Sequence, residues 1–259
     1  IMPLPNIASP VYRDTFPGSK LEFEYRPMLV GEEKVILMAM EDKKLDAVKV
    51  VDSISNVLRT VTFNKINLGK LPSVDIDFLL LKLRIKSKGS KVSLTFNCLK
   101  NKTDDAGNEI QVDGLPVACG RSKVVSYDLE QVQITDGPTS IRVDITDKIG
   151  LKIGLPPYDL TRRLTEKVTH QNKNLTELSD MVIYECIESV WNGDDIQTKK
   201  DFTLDEFIAF YNQMPISAKQ EIEGFFNNMP KLVGRVQYEC ACGKFKDELV
   251  VEGVQSFLG

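Results

Sequence analysis

Four of the five cysteines in this 259-residue chain stand in two segments that resemble each other. "VSLTFNC", ending at Cys98, leads through a loop to "ACGRSKVVSYDL", which holds Cys119; "VGRVQYEC", ending at Cys240, leads at once to "ACGKFKDELVV", which holds Cys242. Each is a strand, a cysteine, a gap, Ala-Cys-Gly-basic and a returning strand. Zinc ribbons use two such hairpin knuckles, because tetrahedral geometry needs two pairs of thiolates face to face and glycine allows the tight turn. The pairs here are Cys98 with Cys119 and Cys240 with Cys242. The gaps depart from the usual two to four residues, being twenty and one. Two readings follow: a structural zinc site on these four thiols, or degenerate knuckles carrying free reduced thiols, which the gaps favour. An odd cysteine count without a signal peptide suits a reducing compartment, so disulfides are not expected.

Other chemistry finds less support. His170 is the only histidine, in a polar stretch beside Gln171 and Asn172. Ser-His-Asp or Cys-His catalysis would have to run through it without a glycine elbow or similar signature. It reads as a solvated linker residue. Neither phosphate-loop pattern, Gly-x-x-x-x-Gly-Lys-Ser/Thr or Gly-x-Gly-x-x-Gly, occurs. The carboxylate pairs Asp75 with Asp77 and Asp194 with Asp195 fall at helix starts and turns, where charge and capping explain them. Asp104, Asp105, Gly107 and Asn108 lie in a polar stretch between Cys98 and Cys119 that lacks the ligand spacing of a calcium loop and reads as a long hairpin loop. No catalytic residue is expected, and zinc is the one cofactor the residues suggest.

The bulk composition bounds the partners. Lys and Arg total 33 against 37 Asp and Glu, a net charge of -4, so no overall positive field draws the chain to nucleic acid. No apolar run approaches the roughly 18 to 20 residues that cross a bilayer, and the first residues lack a secretory pattern; neither membrane anchoring nor secretion by that route is expected. Apolar residues at 42% and charged residues at 27% suit a chain with a packed core.

The elements that must position the cysteines are legible from periodicity. Leu21, Phe23 and Tyr25 alternate with Glu22 and Glu24 after Pro17-Gly18-Ser19, a hairpin over Val11 to Arg26. "EEKVILMAMED" and "LDAVKVVDSISNVLRTV" carry apolar residues at helical spacing, as does "VDIDFLLLKLRIKSKG", with Ser73 as N-cap and Gly89 as stop. "KVSLTFNC", "RSKVVSYDLEQVQIT" and "TSIRVDIT" read as strands. Beyond Leu155-Pro156-Pro157 the pattern turns helical: "LTELSDMVIYECIESVWNG" as one helix closed by Gly193, with Cys186 inside as a small hydrophobe; "TLDEFIAFYNQMP", with a Thr203/Glu206 capping box; and "SAKQEIEGFFNNMP", capped by Ser217 with Gln220. The last two read as an antiparallel pair, and "KLVGRVQYECACGKFKDELVVEGV" as a closing hairpin. The fold class is thus α+β. An N-terminal domain over 1-155 combines a hairpin, helices and an antiparallel sheet, and a helical domain over 156-259 ends in the cysteine hairpin, which docks on the first sheet.

On these residues the chain resembles the T-even-type phage baseplate protein family. The resemblance is carried by "MPLPNIASPVYRDTFPGSKLEFEYRPMLVGEEKVILMAMED", above all Tyr25 to Lys34, and by "LPSVDIDFLLLKLRIKSKG", "FIAFYNQMPISAKQEIEGFFNNMPKL" and "VEGVQSFLG". It implies a baseplate hub subunit or hub assembly factor of a contractile-tailed bacteriophage: a non-enzymatic virion or assembly protein, assembled in the host cytoplasm, whose partners are other baseplate and tail proteins and which has room for self-association. The hairpin at Val11 to Arg26 and the helices from Thr203 to Met229 are its candidate docking elements, if they do not simply complete the core. The resemblance implies cysteine hairpins of the zinc-ribbon kind, which family members often carry, and this sequence departs from them in both gaps. The competing class is a zinc-ribbon-like module binding nucleic acid through Lys100, Lys102, Arg121, Lys123, Lys244 and Lys246, a patch opposed by Asp104, Asp105 and Glu109.

Overall fold

Alternation of Phe23 and Tyr25 with glutamates forms the expected hairpin in the computed structural model, which describes residues 8–41, 47–98, 100–104, 106–160, 162–164, 175–240, 242 and 246–252. Strand β1 (Tyr12–Thr15) pairs antiparallel with β2 (Glu22–Tyr25), Tyr12 opposite Tyr25. Phe16 and Phe23 stack at 3.9 Å between ring centres. Their apolar side is covered by the helices α2 (Ala47–Val61) and α3 (Ser73–Lys88), giving a first core of Phe16, Phe23, Tyr25, Leu58, Val61, Leu79 and Leu83, among others. Helix α1 (Val30–Glu41) packs on α2. The turn of the hairpin is tied down by the buried Asp75, whose two carboxylate oxygens accept the backbone N–H groups of Gly18 at 2.6 Å and Ser19 at 2.9 Å. Gly18 is required there, because a Cβ would meet Asp75 Oδ1 and Pro72 Cγ, each at 2.8 Å.

Helix α3 begins one residue away from expectation. Pro72 (φ -70, ψ 159) occupies the cap position and Ser73 is the first helical residue, its N–H donating to the Pro156 carbonyl at 2.8 Å. Gly89 ends the helix at φ +87, as its position suggests.

After α3 the chain makes β3 (Lys91–Asn97), then a small excursion containing β4 (Gln111–Val112) and β5 (Leu115–Pro116), and returns as β6 (Ser122–Asp128), antiparallel to β3 from Lys91 opposite Asp128 to Asn97 opposite Ser122. β7 (Gln133–Ile134) pairs with β12 (Leu232–Glu239), and β12 pairs with β13 (Lys246–Glu252) in the closing hairpin. A second core of Leu81, Val92, Tyr127, Leu129, Leu232 and Val236 joins α3 to these strands.

A four-stranded antiparallel meander supplies the third core: β8 (Ser140–Asp144), β9 (Ile149–Gly154), β10 (Ile187–Asn192) and β11 (Asp195–Gln197). Helices α4 (Leu175–Cys186), α5 (Leu204–Tyr211) and α6 (Ile216–Asn228) bury Ile183, Tyr184, Phe207, Tyr211, Ile222 and Phe225 against Val143, Leu151 and Ile153 of the sheet. The chain on either side of Leu155-Pro156 therefore shares one sheet and one core. α5 packs on α4 and α6 on β8, so the two helices read as a pair each answer to a different neighbour. The sites of both expected docking elements are largely occupied inside: Phe16, Phe23 and Tyr25 of the hairpin, and Phe207, Tyr211, Ile222 and Phe225 of the helices, are buried.

Two expectations are corrected here. The stretch from Leu175 to Asn192 is not one helix; it turns into β10 at Ile187, with a register shift between Ile187 and Ser189. Tertiary space decides this. Trp191 lies opposite Gly150, whose missing side chain leaves room for the indole, and Arg142 covers the ring at 4.1 Å from its centre. Ser217 does not cap α6, which starts at Ile216 immediately after Pro215 without a side-chain cap. The Thr203/Glu206 capping box of α5 forms in both directions, and Cys186 is buried in the third core as expected. His170 and its neighbours from 165 to 174 lie outside the described residues.

Two measurements test this packing. A Cβ on Gly150 would collide with the Trp191 ring and the Val143 carbonyl, so Gly150→Ala should lower unfolding free energy by about 1–3 kcal/mol; unchanged urea stability would show that the tryptophan does not depend on that gap. Burial pushes the Asp77 carboxyl up to about 6, from an ordinary value of ~4. The folded chain therefore favours the protonated form, and this contribution to stability is complete below about pH 4 and is lost as pH rises through about 6. Asp77→Asn, which fixes the neutral form, should raise stability by about 1–2 kcal/mol at pH 7.5 and leave it unchanged at pH 4; an equal gain at both values would refute the assignment.

Candidate metal centre

The ends of two hairpins meet at the cysteines. Cys98 follows β3 and Cys119 precedes β6; Cys240 follows β12 and Cys242 precedes β13. Phe96 of β3 packs on Tyr238 of β12 with ring centres 5.7 Å apart, and Lys123 of β6 donates from Nζ to the Glu239 carbonyl at 3.1 Å. These contacts bring the two tips together. Cys98, Cys119 and Cys240 are buried with Tyr238 in a small cluster of their own, and the half-buried Cys242 packs against it.

The twenty-residue gap closes on itself. Cys98 N–H donates to the Arg121 carbonyl at 2.9 Å and Cys119 N–H to the Lys100 carbonyl at 2.7 Å, so the excursion leaves and returns at adjacent points. Inside it, Lys102 N–H reaches the Val117 carbonyl at 2.7 Å, and Ile110 N–H reaches the Lys102 carbonyl at 2.9 Å. Asp113 and Gly114, both at positive φ, make the two-residue turn between β4 and β5, where the mirror-image turn matches strand twist. Asp104 holds the other bend, its carboxylate accepting the N–H groups of Ala106 at 3.0 Å and Asn108 at 2.8 Å. That carboxylate, held below its usual range chiefly by the Asn108 backbone N–H, is thus engaged in forming the loop.

The one-residue gap starts just past the end of β12 at Glu239, a strand whose successive side chains alternate faces. Along β12 the buried set is Val236 and Tyr238, and Cys240 continues it. The Cys242 backbone N–H then turns back to donate to the Cys240 sulfur, and the Lys100 N–H does the same for Cys98. Both tips thus share an N–H to sulfur contact from the residue two positions on.

The result is four sulfurs all within 4.8 Å of one another. Cys98 Sγ and Cys242 Sγ are 3.9 Å apart, as are Cys119 Sγ and Cys240 Sγ. Both of these contacts run across the hairpins. These spacings are far beyond a disulfide bond of about 2 Å, and all four are free thiols. The thiols differ electrostatically. The Cys242 N–H leads the contacts that lower Cys240 to about 6, whereas desolvation pushes Cys98 up to about 12. Burial and the neighbouring Cys240 push the Tyr238 phenol up to about 12 as well.

All four residues singled out by the sequence are thus brought to one point. What residue spacing missed was the return path of the excursion, although its turn residues, Asp113-Gly114 and Asp104 to Asn108, were the available signal. Around the centre, Lys100, Lys102, Arg121, Lys123 and Lys246 are exposed; Lys246 pairs with Glu239 at 3.6 Å, and Lys244 lies outside the described residues.

The architecture is that of a mixed α+β protein with three cores and a cysteine-lined junction between two hairpins. The family described as T4 bacteriophage base plate protein matches residues 9–259, and the chain belongs to it. No curated protein and no solved structure matches.

Tyr238 is the side chain on which the junction rests. Tyr238→Ala should cost about 3–5 kcal/mol, as for other buried aromatic truncations, measured by denaturant unfolding; a cost under about 1 kcal/mol would show that the two tips are held together without it.

Proposed function

We propose that this chain is a structural or assembly protein at or near the hub of a contractile-tail baseplate, built in the host cytoplasm and acting through protein contacts without catalysis. The observation that carries the reading is the family match, which runs through residues 9–259; membership places the chain among phage baseplate proteins, whose neighbours are other tail proteins. Two features of the surface support the finer statement. Helix α1 exposes Val30, Val35, Leu37 and Met38, apolar area of the kind that partner proteins cover. The depression beside β1 and β2 is lined by Arg13, Glu24 and Lys65, and these pair among themselves, Glu24 with Arg13 at 2.7 Å and with Lys65 at 2.6 Å. Such mutual pairing offers little to a substrate. The nucleic-acid reading draws less support, because Lys123 and Lys246 at the knuckles are engaged by Glu239.

A phage whose gene for this chain carries a nonsense codon should yield heads without functional contractile tails, and the chain supplied in trans should restore them. Tagged chain from infected cells should copurify with baseplate proteins of the same phage. Normal tails without the chain, or recovery without any tail protein, would refute the proposal.

A further inference from the structure

The cysteine junction is more ordered than chance placement of thiols in a core would require. Four sulfurs within 4.8 Å come from four separate positions at the tips of two hairpins, and no other described group of cysteine, histidine or carboxylate ligands is as compact. In a tetrahedral site with zinc–sulfur bonds of about 2.3 Å, neighbouring sulfurs lie about 3.8 Å apart. The observed 3.9 Å of Cys98 to Cys242 and of Cys119 to Cys240 matches that edge, and the remaining pairs need only shorten by under about an ångström.

We propose that Cys98, Cys119, Cys240 and Cys242 bind one structural zinc ion as a closed four-thiolate site that clasps the β3–β6 hairpin to the β12–β13 hairpin. Four soft thiolates in tetrahedral array select zinc among abundant divalent ions, and a set with all four positions supplied by protein leaves none open for a substrate. The sulfur separations suit a single ion; an iron–sulfur cluster, with a cysteine on each of several metals, needs the four sulfurs spread wider. On binding, each thiol loses its proton to solvent and gives a sulfur lone pair to the metal, with no change in oxidation state, so the site carries a net double negative charge. The chain already holds what offsets this charge: the Lys100 and Cys242 N–H groups directed at Cys98 and Cys240, and exposed Lys100, Arg121 and Lys123 alongside. Such contacts to ligating sulfurs fix their orientation and tune affinity.

The test uses the full chain purified under reducing conditions, and needs no phage component, so it is independent of the baseplate reading. Elemental analysis should find about one zinc per chain. Replacement by cobalt(II) should give the intense visible bands and sulfur-to-metal charge transfer of tetrahedral thiolate coordination. Cys98→Ser and Cys240→Ser should each reduce zinc retention more than about tenfold, while Cys186→Ser, in a different core, should retain it. If a serine variant does not fold, the cobalt spectrum of the unaltered chain decides alone. Folded wild-type protein that holds neither zinc nor cobalt, iron in place of zinc, equal loss in Cys186→Ser, or a Cys98–Cys242 disulfide in freshly reduced protein would each overturn the assignment.

Discussion

Helix α3 is apolar on opposite sides, and that constraint organises the molecule. Ile76, Leu79 and Leu83 enter the core beneath the N-terminal hairpin, while Leu81 enters the core beneath the strands that lead to the cysteines. A helix of this kind cannot lie on a surface; it must be covered from two directions. Its N-terminal turn also receives the hairpin, through the Asp75 carboxylate and the N–H groups of Gly18 and Ser19. Those charge-assisted bonds leave a buried carboxylate satisfied, so the position of the hairpin is fixed by hydrogen bonding as well as by the stacked Phe16 and Phe23.

From α3 the order propagates outward along strands. Leu81 packs with Val92 and Val236, which lie on β3 and β12. Further along the same strands Phe96 meets Tyr238, and just beyond them stand Cys98 and Cys240. A core at one end of two hairpins thus sets the separation of thiols at the other. The sulfur cluster is small and lies at the periphery of the apolar packing, so a bond between its members would close the tips where burial alone contributes least.

Much of this was legible in the sequence, for reasons that differ by element. The hairpin of β1 and β2, helices α1 to α3, and strands β3, β6 and β8 follow from local periodicity, and the α5 box from its cap residues. β9 and β10 did not. "IESVWN" continues the apolar spacing of α4, and only the gap at Gly150 opposite Trp191 makes the extended form the better packed one. That information sits some forty residues away in the chain, beyond any local window. Ser73 and Ser217 are likewise good cap residues that end up inside their helices, the cap positions being taken by Pro72 and Pro215, whose fixed φ suits the entry to a helix.

At the cysteines, separation in sequence and separation in space differ. A gap length limits chelation only if the intervening chain is an open loop, since what matters is the distance between its ends. Between Cys98 and Cys119 the described residues pair among themselves, and the closing bonds at Lys100 and Arg121 make the effective gap a short one. Between Cys240 and Cys242 the gap is a single residue just past the end of β12, and the Cys242 N–H directed at the Cys240 sulfur brings the two positions together. The two departures from the usual knuckle are therefore opposite in length and equivalent in effect. Each presents two sulfurs from one hairpin tip, and the two tips face each other.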